Sequence, residues 1–182
     1  MMLGTYEKFV AEALCRRYDL AIIFWIYGAF SGYYTLMCAK LMKGKDRIIA
    51  FEPNPIVYRY LRLNLIINNL HNVTAINVAV SDFNGLGKLV IPKNLMNQGW
   101  LVTRITEGYV VPVAKLGSFL SRIDCHPDVI KIDVEGEEMK VIEGALRTLS
   151  NGIRTLIVEL HNKDEKDNIV GLYTRWDIET RF

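Results

Sequence analysis

Three carboxylates and a histidine occupy positions where packing alone gives them little reason to be. Lys131 and Asp133 interrupt the apolar run Val129, Ile130, Ile132, Val134, and Glu135-Gly136 follow at a turn. Beyond the turn, Met139, Ile142, Ala145 or Leu146, and Leu149 recur at helical spacing. A buried strand, a glycine turn and an amphipathic helix make half of a βαβ unit. Acids at the carboxyl end of such a strand face the crevice where open α/β sheets bind ligands. In an extended segment Asp133 and Glu135 project to the same side. Helix capping is the competing explanation, because acids near a helix N-terminus are favoured by its dipole. It accounts for Glu137 and Glu138 and in part for Glu135, but not for an aspartate within an apolar strand. Glu159 and His161 stand two apart at the end of a second apolar run, Thr155–Leu160. A lone histidine is usually structural; beside Asp133 and Glu135 at neighbouring strand ends it completes an acid/base or metal-binding cluster.

The elements that must position these groups are legible upstream. Ala21–Ala39 runs 19 residues without a charge, long enough for a membrane span, with Gly28 and Gly32 spaced as in a membrane dimer face. The alternative divides it into a strand (Ala21–Tyr27), a glycine turn (Gly28–Gly32) and a helix (Tyr33–Leu41). Aromatic and β-branched residues in the first half favour the division, as do the Lys43-Gly44-Lys45-Asp46 stop and the strand Arg47–Phe51 that follows. No membrane association is therefore expected. Glu52 ends the second strand 20 residues beyond Gly32, the distance at which a carboxylate meets ribose hydroxyls in nucleotide-binding α/β folds. Asn54 is a helix cap with Pro55 at the first helical position, and Tyr58, Leu61 and Leu65 form that helix's apolar stripe. Asn72–Val80 reads as a third strand with Ser81-Asp82 at its end. Residues 83–120 depart from the alternation: a hairpin at Asn84-Gly85, a loop carrying Asn97-Gln98-Gly99-Trp100 and a strand Tyr109–Val113. This is an insertion suited to the substrate side of a site.

The 182 residues suit a single domain with a full core. Thr5–Tyr18 reads as a helix within an N-terminal segment, 1–19, and Asp177–Phe182 as a last short strand. A net charge of +2 and a pI of about 8.4 give no electrostatic signature of nucleic-acid binding. Cys15, Cys38 and Cys125 lie far apart with no metal-ligand spacing and read as reduced thiols of a cytoplasmic protein.

The segments GAFSGYYTL (28–36), IIAFEPNP (48–55), NVTAINVAVSD (72–82), VVPVAKLGSFL (110–120), PDVIKIDVEGEEMKVIEGAL (127–146) and IVELH (157–161), in this order, resemble the FkbM family of S-adenosylmethionine (SAM)-dependent methyltransferases. The resemblance implies a Rossmann-like class I fold: a three-layer α/β sandwich with a mostly parallel sheet, a β-hairpin insertion and a closing antiparallel hairpin. Thr174–Phe182 would supply only part of that hairpin, leaving an edge for a second copy of the chain to complete. It implies SAM as cofactor and methyl transfer to a hydroxyl of a small molecule or sugar; Asp133, Glu135 and Glu159 could hold a divalent metal, but carboxylates at strand ends are common without one and no metal is expected. Carried over by position, Gly28 and Gly32 line the methionine end of SAM and Glu52 binds its ribose. Asn54 accompanies Glu52, and Ala79, Ser81 and Asp82 border the adenine. Asp133 and Glu135 sit beside the methyl group or acceptor, with Glu159 and His161 across the pocket. The family's Asp-x-Gly-Ala-x-x-Gly pattern is broken at its first position, which holds Ile26.

Overall fold

The computed structural model describes residues 22–42, 46–91, 100–102, 108–118, 125–150, 152–160 and 178–181. The N-terminal helix expected at 1–19, the loop residues Asn97, Gln98 and Gly99, and His161 lie outside them. The element order is β1 (Ile23–Tyr27), α1 (Tyr33–Leu41), β2 (Arg47–Phe51), α2 (Pro55–Ile67), β3 (Val73–Ile76), β4 (Ala79–Val80), β5 (Gly85–Val90), β6 (Trp100–Val102), β7 (Tyr109–Ala114), β8 (Val129–Ile132), α3 (Glu138–Ser150), β9 (Thr155–Glu159) and β10 (Ile178–Arg181).

Six strands form one sheet in the order β3-β2-β1-β8-β9-β10, and every pairing in it is parallel. Parallel neighbours require crossover connections, and α1, α2 and α3 supply three of them. Each strand alternates its side chains between two apolar layers. Trp25 and Tyr27 of β1 join Phe51, Ile130 and Ile132 against Val141, Ile142, Ala145 and Leu149 of α3. Phe24 and Ile26 join Ile48, Ala50 and Ile157 against Cys38 and Ala39 of α1 and Leu61 and Leu65 of α2. The sheet is thus covered on both faces, which is why its strands read as near-continuous apolar runs. The charge-free stretch 21–39 is divided as β1, turn and α1, and among the described residues no helix is long and apolar enough to cross a membrane.

Four details differ from the sequence reading. Asn72–Val80 is not one strand: β3 pairs with β2, whereas β4 pairs with β7 in a second sheet of order β4-β7-β5-β6. Asn77 makes the break, its side-chain amide donating to the carbonyls of Glu52 (2.8 Å) and Pro53 (3.0 Å). The stripe of α2 is Val57, Leu61 and Leu65; Tyr58 instead sends its hydroxyl to the Ala75 carbonyl at 3.3 Å. Trp100 opens β6 rather than lying in a loop. The last strand, β10, runs parallel to β9, not as part of an antiparallel hairpin.

Two glycines fix how closely the layers meet. A Cβ on Gly28, whose φ is +74°, would lie 1.7 Å from the Asp133 carbonyl oxygen, so the β1 and β8 ends approach backbone to backbone. A Cβ on Gly144 would lie 2.2 Å from the Ser81 carbonyl oxygen, which seats α3 directly on the segment after β4.

Candidate functional site

The strand register aligns the chemistry. Tyr27 pairs with Phe51 and Ile132, Phe51 with Ile76, and Ile132 with Val158. One residue further along each strand, the carboxyl edge of the sheet therefore reads Asn77, Glu52, Gly28, Asp133, Glu159. The strand order reverses between β1 and β8, the topological switch point where open α/β sheets bind ligands. Gly28 and Asp133 flank it.

The turn after β1 is wound tightly. Gly28 and Gly32 have φ of 74° and 101°, and Phe30 between them is also left-handed at 51°, a conformation that costs a non-glycine residue energy. The turn is held from β2: Gly28 and Ala29 donate to the Phe51 carbonyl at 3.1 and 2.9 Å, and Phe30 N–H donates to Glu52 Oε2 at 2.8 Å. Glu52 Oε1 accepts from Asn54 N–H at 2.9 Å. Asn54 is also the helix cap the sequence suggested, its Oδ1 accepting from Ile56 and Val57. Glu52 is only 6% exposed, and burial pushes its carboxyl up to about 7. The two backbone N–H donors pull the other way, and the negative charge of Asp133 adds to the rise.

Asp133 follows the end of β8, and its Oδ2 is 2.6 Å from Lys131 Nζ. The same ammonium is 3.5 Å from Glu159 Oε2 and 4.4 Å from the centre of the Tyr34 ring at the start of α1. Lys131 is fully buried while the two carboxylates are partly exposed. The structure thus brings Asp133 and Glu159 together through a lysine. Sequence reasoning noted Lys131 only as an interruption of an apolar run. The signal was there, since a lysine inside a strand covered on both faces is almost never fully buried unless paired.

Glu135 is placed differently from the sequence reading. The regular strand stops at Ile132 and Glu135 is left-handed, with φ of 55°, so strand alternation does not direct its side chain. The turn is anchored by the buried Glu138, whose Oε1 accepts from Gly136 (3.0 Å) and Val134 (3.4 Å), as the capping explanation anticipated. Ala79 and Ser81 are buried. Ser81 N–H donates to the Ala114 carbonyl, and Ser81 Oγ to Asp82 Oδ1 at 3.1 Å, placing this segment where the two sheets join. Among the described residues, no three His, Cys, Asp or Glu side chains are grouped as a metal site.

A sequence profile of the methyltransferase FkbM domain matches residues 27–177. The chain belongs to the FkbM methyltransferase family. No curated protein matches it by sequence. Among solved structures it is similar to a precorrin-6y C5,15-methyltransferase from Geobacter metallireducens (TM-score 0.57, 17% identity, over 93% of this chain and 69% of that one). A second is a putative rRNA-methylase from Clostridium thermocellum (0.59, 11%, 97% and 83%). A third is the precorrin 8w decarboxylase of Methanobacterium thermoautotrophicum (0.54, 15%, 94% and 70%). These likenesses are of fold: a Rossmann-like, mostly parallel sheet. The cofactor of this FkbM domain is SAM. The edge fits that cofactor, because each Glu52 oxygen accepts one backbone N–H and an ionised carboxylate oxygen has room for a second donor. Two ribose hydroxyls would supply two such donors beside the turn at the start of α1.

Proposed function

We propose that this FkbM domain transfers a methyl group from SAM to a hydroxyl oxygen of a small molecule or sugar. The observation that carries the reading is Asp133 at the switch point, backbone to backbone with Gly28 and held by a buried ammonium. In this reading Glu52 takes the ribose diol, with Gly28, Gly32 and Asn54 shaping the turn around the cofactor and Ala79, Ser81 and Asp82 bordering its base. Bound SAM supplies an electrophilic methyl group and a thioether leaving group. The chain's residues supply alignment and exclusion of water. Asp133 accepts the hydrogen bond of the acceptor hydroxyl and takes its proton as the new carbon–oxygen bond forms and the carbon–sulfur bond breaks. Glu159 stands across from it, and Glu135 and His161 are the remaining candidates for the base. A net charge of +2 over 182 residues gives no electrostatic preference for a phosphate-rich substrate such as RNA.

Incubation with SAM and a panel of simple acceptors (methyl glucoside, ribitol, a phenol), read by mass spectrometry, tests this. The expected result is a singly methylated product with an equivalent of S-adenosylhomocysteine. SAM binding without transfer to any hydroxyl, but with transfer to an amine or to RNA, would overturn the oxygen assignment. A second reading rests on Ile26. It is 1% exposed in the apolar layer under α1 and α2, where the family pattern has a carboxylate. A chain that binds no SAM would be a methyltransferase fold retained as a binding module.

A further inference from the structure

We infer that Lys131 is a positioning residue of the methyl-transfer site, acting through Asp133 and Glu159. The inference rests on the proposed role of Asp133. Lys131 lies in a row of the sheet whose other members from β3 to β9 are apolar: its register partners are Ile26 in β1 and Ile157 in β9, Ala50 and Ala75 continue the row, and Glu179 of β10 ends it. Its side chain runs under α1 towards the carboxyl edge and ends between three groups. These are Asp133 Oδ2 at 2.6 Å, Glu159 Oε2 at 3.5 Å and the face of Tyr34 at 4.4 Å. An ammonium has three donors, and this one has three partners on three separate elements.

Stability alone is a poor reason to keep such a group. Desolvating an ammonium offsets much of its attraction to a partner, and replacing a buried ion pair by apolar side chains is often neutral. The carboxylates do not need the lysine for solvation, since Asp133 and Glu159 side chains are 21% and 34% exposed. What the ammonium does provide is a fixed point: it ties two carboxylates from adjacent strands to one position beneath the edge. A carboxylate that is to receive a proton from a bound hydroxyl must be held in place to within a fraction of an ångström. Lys131 makes that placement a property of the strand rather than of a mobile side chain. It does so without touching the substrate.

The test is a cycle of Lys131→Met, Asp133→Asn and the double variant, assayed with SAM and the best acceptor of the panel above. Lys131→Met is expected to lower kcat by about tenfold or more while the SAM Kd stays within about twofold. Its crystal structure should show Asp133 and Glu159 side chains in new rotamers, with Gly28–Gly32 and Glu52 superposing on the parent. In the Asp133→Asn background the same substitution should cost no further rate, because a positioning residue has nothing left to position. Should Lys131→Met not fold, Lys131→Arg, which keeps the charge but not the compact ammonium, takes its place in the same cycle. An unchanged kcat in Lys131→Met, or a further about tenfold loss in the double variant, would overturn the inference. A parent protein that methylates no acceptor would instead sink the proposed function itself.

Discussion

Lowering the pH from 8 to 6 is expected to weaken SAM binding through Glu52 by about tenfold. The carboxyl is buried beside two backbone donors and the charge of Asp133, and it titrates at about 7. Ribose hydroxyls donate to an ionised carboxylate, so the bound state selects the charged form. With that pKa, the ionised share of the free protein falls from about nine-tenths at pH 8 to about one-tenth at pH 6, a change worth about 1.4 kcal/mol. Binding at pH 6 must then release close to one proton, and at pH 8 almost none. Titration calorimetry in two buffers of different ionisation heat reads both the Kd and the proton count. The α-amino group of SAM titrates in a nearby range, so Glu52→Gln serves as the control that removes only the protein's contribution. The reasoning is refuted if parent and variant share one pH profile, or if parent affinity rises as the pH falls.

The same carboxyl links folding stability to pH. Its folded value lies above the unfolded 4.5, so its contribution is fully present below 4.5 and is lost as the pH rises through about 7. Urea unfolding at pH 5 and pH 8 should therefore show the stability of Glu52→Gln improving relative to the parent by about 2–3 kcal/mol at the higher pH. Gly144→Ala should destabilise the fold by about 1–3 kcal/mol through the clash with the Ser81 carbonyl, although alanine in a free helix is better than glycine by about 1 kcal/mol; a denaturant midpoint above the parent's would contradict the close approach of α3. Among the described residues the buried Tyr27 hydroxyl has no hydrogen-bond partner, so Tyr27→Phe should raise stability by about 1 kcal/mol. A lower thermal midpoint for that variant would mean that the hydroxyl has a partner.

Periodicity carried the reading of the fold wherever an element was buried on a predictable face. The split of 21–39, the bounds of α1 and β2, and the Asn54-Pro55 cap all follow from local patterns that tertiary contacts reinforce. The reading failed where two local signals merge. Asn72–Val80 has β-prone runs on both sides of Asn77, and the long-range bonds from Asn77 to Glu52 and Pro53 reveal that it serves two sheets. The direction of β10 depends on a pairing partner remote in sequence, which no local pattern specifies. The places of Glu52 and Asp133 at the carboxyl edge were legible because each follows an apolar run that could be read as a strand. Lys131 was not assigned a part: what makes it notable is the pair of carboxylates it joins, one on its own strand and one on β9. The shared side read for Asp133 and Glu135 failed because extended geometry was carried three residues past Ile132, where the strand ends.

The most direct test of the central claim is a crystal structure with S-adenosylhomocysteine bound. The account predicts both ribose hydroxyls within hydrogen-bond distance of the Glu52 carboxylate, with the sulfur over the Gly28–Asp133 switch point. A nucleoside bound elsewhere, with Glu52 still engaged only by Phe30 and Asn54, would contradict it.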